Sequence, residues 1–124
     1  MNKLVFAYVL SSVLMSSVAQ VVLKAGMSRP EVVAQVSGGA SWQLVRAVAG
    51  SVPVWAGLAL YFASALVWLM VLARVQVSLA YPFVGLGFVV TMLLGWLVHG
   101  DVLSPARMTG TLIIATGVVV LARS

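Results

Sequence analysis

The residues of this chain that could do chemistry are polar side chains set at helical spacing within apolar sequence. Ser12, Ser16, Gln20 and Lys24 recur every fourth residue, so a helix places them on one stripe. Polar groups surrounded by hydrocarbon need partners or a wet cavity. The stripe reads as a cavity wall, with Lys24 as an anion contact near its mouth. The alternative is hydrogen-bonding glue between helices, with Lys24 snorkelling to the interface. Tyr61 and Trp68 stand one heptad apart and could line the same cavity or sit among lipid as aromatic residues commonly do. Gly87, Thr91 and Gly95 form a ridge of small residues, and Gly110 and Gly117 mark one face of the last apolar segment. Ridges of this kind let backbones approach closely, and on the last segment the expected neighbour is a second subunit.

Other chemistry is poorly supported. Asp101 and Arg107 flank a turn and read as a local ion pair or as solvated charges. His99 is the one histidine and there is no cysteine, so no metal site is expected. Paired-carboxylate, nucleophile–base and phosphate-cradling signatures are all missing, which argues against an enzyme and against a cofactor. No Asp, Glu, Lys, Arg or His stands in the middle of an apolar segment, so no obvious intramembrane proton carrier exists.

The elements that must position these residues follow from composition. Of 124 residues, 63% are hydrophobic and 7% charged, far from the balance of a soluble domain. An all-α membrane protein is predicted, a single domain over residues 1–124 with four spans near 4–24, 52–73, 77–98 and 105–122, each about 20 residues as a bilayer requires. Ser104-Pro105 is a strong helix start, and Pro82 falls in the first turns of the third span, where it can kink the helix. The turn at residues 74–76 forces spans two and three into an antiparallel hairpin. Between spans one and two, Ser41 can cap a short helix over 41–50 whose Trp42, Val45 and Ala49 share a face. It reads as an interfacial amphipathic helix or, alternatively, a polar loop.

The net charge of +5 comes from single basic residues at span ends. They suit lipid phosphates and topology better than nucleic acid. A cleaved signal peptide over residues 1–20 is the weaker reading of the N-terminus, because Gln20 and Lys24 continue the same helical face. With four spans, Lys3, Arg74 and Arg123 share one membrane face, and Lys24, Arg29, Arg46 and Arg107 the other. This near balance fixes no orientation and fits a dual-topology antiparallel dimer as well as an undecided count.

Several strings carry a resemblance. Ala73-Arg74, Ser78-Leu79-Ala80-Tyr81-Pro82, Gly85-Leu86-Gly87, Gly95-Trp96, Gly100-Asp101, Gly110 and Gly117-Val118 resemble the drug/metabolite transporter superfamily. Ala19-Gln20 and Leu23-Lys24-Ala25-Gly26-Met27 look like the end of that group's first span. The match is to its four-span, EamA-like branch, which includes small multidrug resistance proteins and the aminoarabinose-phosphoundecaprenol flippase subunits, and it leaves out residues 28–51. Small multidrug resistance exporters carry an essential glutamate in span one, eight residues before a lysine. Counting back from Lys24 lands on Ser16, so that acid is missing. Their third-span Tyr is matched by Tyr81, their nearby Trp is replaced by the Pro82-Phe83-Val84 region, and Asp101 stands where a Glu is usual.

The pattern is closest to the flippase subunits. The resemblance implies a transporter subunit of the bacterial inner membrane, working as a homodimer or with a related four-span partner. Its cargo would be a polyprenyl-phosphate-linked sugar or similar anionic lipid, moved past Ser12, Ser16, Gln20 and Tyr81, with Lys24 and Arg74 meeting phosphate at opposite faces. Two alternatives stay open: an exporter of cations or small metabolites, with Asp101 or a partner supplying the acid, and a non-transporting accessory subunit.

Overall fold

A computed structural model describes residues 2–39 and 41–124. Every regular element among them is helical. Four helices are long, α1 (Lys3–Met27), α4 (Val52–Leu72), α6 (Val84–His99) and α7 (Pro105–Ala122), and three are short, α2 (Pro30–Val36), α3 (Trp42–Ala49) and α5 (Val77–Ala80). By length and apolarity the four candidate spans are Lys3–Met27, Val52–Leu72, Val77–His99 and Pro105–Ala122. Helices are the expected solution, because hydrocarbon offers backbone groups no partner outside the segment itself.

Local chemistry sets the boundaries. The Asn2 side chain accepts from the Val5 N–H at 2.8 Å and starts α1. Ser104 accepts from the Arg107 N–H at 3.2 Å, with Pro105 just inside α7. Ser41 caps α3 through the Leu44 N–H, also at 3.2 Å, and α3 buries none of its side chains. The linker also holds α2, which the sequence reading missed although Pro30 and Glu31 at its start are both helix-initiating signals.

Span three is not one continuous helix. Pro82 has no N–H to donate, and the chain passes from α5 through a single 3₁₀ turn at Tyr81–Phe83 into α6. That turn sends neighbouring aromatics in different directions. Phe83 is 1% exposed, at the centre of the core, while Tyr81 is 64% exposed.

Helix α1 packs against both α4 and α6, which barely touch one another, and α7 lies outside against α6. One apolar core joins Val5, Val9 and Val13 of α1 to Val71, Ala80, Phe83 and Val118. At the other end α1 and α4 approach closely through glycine. A Cβ on Gly26 would lie 2.7 Å from the Val54 nitrogen, and one on Gly57 would lie 2.7 Å from Leu23 Cγ. The Ser51 hydroxyl donates to the Gly26 carbonyl at 3.1 Å across the same contact. Phe62, Leu97, Leu112 and Ile113 remain exposed on the outer surface, where hydrocarbon solvates them.

The α1–α4 contact generates a stability test. Gly26→Ala should lower the thermal unfolding temperature of the detergent-purified chain, an overpacking penalty of about 1–3 kcal/mol. Gly110→Ala should not, since open space surrounds that position. A Gly26→Ala variant melting with the wild type would contradict this packing.

Candidate functional site

The splay of α4 and α6 on either side of α1 leaves a groove of about 660 Å³. Its floor is α1. A helix turns about 100° per residue, so from Ser12 the residues Ser16, Gln20, Val13 and Ser17 follow at successive offsets of about 40°, 80°, 100° and 140°. The two edges of this arc are the two residues tied to the walls. The Ser12 hydroxyl donates to the Ser64 carbonyl of α4 at 2.9 Å. The Ser17 hydroxyl, bonded to Val13 O at 2.8 Å, also lies 3.2 Å from the Gly87 carbonyl of α6. Between them, Ser16 and Gln20 face the open space, Ser16 holding only an intrahelical bond to Val13 O at 3.0 Å.

Tyr61, Ser64 and Trp68 line the α4 wall, and Tyr81, Phe88 and Thr91 the opposite one. Tyr61, Tyr81 and Phe88 are exposed, so the groove opens sideways between two rows of aromatic rings. His99 Nε2 donates to the Val21 carbonyl at 3.0 Å and fastens the end of α6 to α1.

Six of the eight residues expected to bind cargo therefore share one groove: Ser12, Ser16, Gln20, Tyr61, Trp68 and Tyr81. Lys24 and Arg74 do not line it. Lys24 is exposed one turn beyond Gln20. Arg74 lies toward the other end, its guanidinium carbon 5.1 Å from the centroid of the Tyr8 ring, and donates to Met70 O at 2.9 Å.

The small-residue ridges are distributed among several surroundings. Gly87 packs on α1, Thr91 lines the groove, and Gly95 lies under the Asp101 side chain. Gly110 and Gly117 face open space.

Asp101 is the lining residue that sequence reasoning set aside. Gly100, with φ 68°, turns the chain back at the end of α6. The N–H groups of both Gly100 and Asp101 then point to the Gly95 carbonyl. The Asp101 carboxylate lies on the bare face of Gly95, where any Cβ would collide with it, and it borders the groove. Of the two expected readings, a local ion pair with Arg107 or solvated charges, the ion pair is not formed: both residues are exposed, Arg107 donates to Val102 O at 2.8 Å, and the ion pair among the described residues is Arg29–Glu31 at 3.6 Å. The Gly95/Gly100-Asp101 spacing was the available signal. Ser17 and Ser64 were also missed, because which face of a helix meets a neighbour depends on the neighbour.

The amino-acid sequence has named relatives. The chain is 38% identical over 79 residues to a protein of Pseudomonas savastanoi pv. phaseolicola, "probable 4-amino-4-deoxy-L-arabinose-phosphoundecaprenol flippase subunit ArnE", covering 64% of this chain and 69% of that one. Proteins of the same name from Salmonella paratyphi B and Salmonella typhimurium are 34% identical over 70 residues, covering 55% of this chain and 63% of each relative. The match thus spans less than two thirds of the Salmonella proteins. No family model and no solved structure matches the chain. The relatives are subunits of transporters rather than enzymes, and the four apolar helices are those of a multi-pass membrane protein. The chain belongs to the family of ArnE flippase subunits.

Proposed function

We propose that this protein is one subunit of a flippase that moves a polyprenyl-phosphate-linked sugar across the bacterial inner membrane. The observation that carries it is the laterally open groove, with a polar floor on α1 and apolar helix surface on both sides. A head group can enter from the side while its prenyl tail stays in lipid. The volume of about 660 Å³ falls within the usual range for small-molecule sites. The names of the relatives supply the cargo class, a lipid-linked amino sugar. Ser16 and Gln20 would hydrogen-bond the sugar, with Tyr61, Trp68 and Tyr81 against its faces. Lys24 and Arg74, outside the groove toward opposite ends of α1, would meet phosphate where head groups are wet.

The groove is open on the side away from α1, and α7 presents Gly110 and Gly117 to open space. Both features support pairing with a second copy or with a related four-span subunit that covers the cargo. Helix α3, with no buried side chain, fits a position in the interface plane, with Trp42 toward lipid and Arg46, about 40° round the same face, reaching up to phosphate by snorkelling.

Liposomes carrying the protein should translocate a fluorescent polyprenyl-phosphate amino sugar faster than empty ones. Ser16→Leu, which fills the floor with apolar volume, should slow translocation about tenfold or more. Lys24→Ala or Arg74→Ala should slow it as well. Wild-type rates in both basic variants would remove those residues from phosphate handling, and no translocation with any four-span partner would sink the flippase assignment.

Asp101 on the groove wall favours one second reading, an exporter of organic cations. Proton-driven uptake of a quaternary ammonium dye into inverted vesicles would support it, and the dye should then compete with lipid-linked sugar.

A further inference from the structure

We infer that the Asp101 carboxylate is the group in the groove that takes a protonated amine of the cargo. The inference deepens the flippase reading, on which it partly rests, by making the subunit selective for an amino sugar over a neutral one.

Four observations converge. Asp101 is the one charged residue among those lining the groove. It has no basic partner among the described residues: the ion pair there is Arg29–Glu31, and the basic residues nearest in sequence, His99 and Arg107, bond the Val21 and Val102 carbonyls instead. Its placement is built rather than incidental. The left-handed Gly100 returns the chain, two N–H groups point to the Gly95 carbonyl, and the missing side chain of Gly95 makes room for the carboxylate. The remaining walls carry Tyr61, Trp68, Tyr81 and Phe88, whose ring faces attract cations and repel anions.

Phosphate finds no cation inside this groove, because Lys24 and Arg74 are not among the lining residues. An amine finds one carboxylate, with aromatic rings along the rest of the groove. A molecule bearing both groups is best satisfied with its amino sugar in the groove and its phosphate at the basic rim. A charge-assisted hydrogen bond of this kind is worth roughly tenfold or more in affinity.

The test is binding to the full chain in nanodiscs, measured by calorimetry with two pairs of probes. One pair is farnesyl-phosphate-linked 4-amino-4-deoxy-L-arabinose and its N-formyl derivative, which lacks the positive charge. The other is phenethylammonium and phenethyl alcohol. The wild type should bind the charged member of each pair about tenfold more tightly. Asp101→Asn, nearly isosteric and so compatible with the Gly95 contact, should bind both members equally, and Asp101→Glu should recover part of the preference. Asp101→Asn that keeps the preference, or a wild type that has none, overturns the inference. Asp101-dependent preference for phenethylammonium without any binding of the lipid-linked sugars would uphold the amine site and remove the flippase reading. Lipid-linked sugar bound and flipped regardless of its charge would do the reverse.

Discussion

The position of α1, held on one side by α4 and on the other by α6, is the constraint on which the rest of the structure depends. Lipid supplies no hydrophobic drive between helices, because the acyl chains are as apolar as the side chains they would replace. Helices must instead be joined by close packing and by hydrogen bonds. On the α4 side the joins are Gly26 and Gly57, the Ser51 hydroxyl on Gly26 O, and the Ser12 hydroxyl on Ser64 O. On the α6 side they are the Ser17 hydroxyl near Gly87 O and His99 on Val21 O. At Ser64, Gly87 and Val21 the donor uses the second lone pair of a mid-helix carbonyl, and at Gly26 it satisfies a helix-end carbonyl whose i+4 residue, Pro30, has no N–H, so the helices are tied without losing their own ladders. Such ties average only about 0.6 kcal/mol apiece in a membrane, yet they act on both flanks of one helix. With α1 fixed between them, α4 and α6 remain apart, and the groove is the space this leaves.

The polar stripe on α1 therefore has two jobs that the sequence presents as one. Ser12 is committed to α4, while Ser16 and Gln20, about 40° and 80° further round, face the cavity. Ser17 lies off the four-residue repeat but closes the arc by bonding toward α6. Bonding to a neighbouring helix and facing the groove divide the serines by angle.

That division marks the limit of what was legible in the sequence. Four apolar stretches, the Ser104-Pro105 start and the interruption at Pro82 depend on local chemistry, so they could be read from neighbouring residues alone. The same holds for the shared groove face of Ser16 and Gln20, which depends only on helical period. Gly26 and Gly57 were not legible as contacts, because a glycine reveals close packing only when its neighbour is known. The place of Asp101 was not legible for a related reason. Six residues before Arg107, it suggests an ion pair or solvated charges, and only the turn at Gly100 brings its side chain back over Gly95 and toward the groove. Helix α2 was visible in Pro30 and Glu31, but its seven residues are fewer than a hydrophobic period needs to declare itself.

The resulting separation of charge has a mechanical consequence. A drug exporter of this scaffold would hold an acid in the middle of its first span, and here Ser16 stands at that point. An ionised group in mid-membrane is expensive unless paired, and an anionic head group passing a fixed carboxylate would be repelled as well. A neutral floor of Ser16 and Gln20 removes that repulsion, and the charged residues are left at the ends, where water and lipid phosphate already screen them. The floor alone cannot replace the hydration shell of a phosphate, since one side of the groove is open to hydrocarbon. A transporter built on it would need a second polar surface facing the first, which is the physical reason for the pairing proposed above.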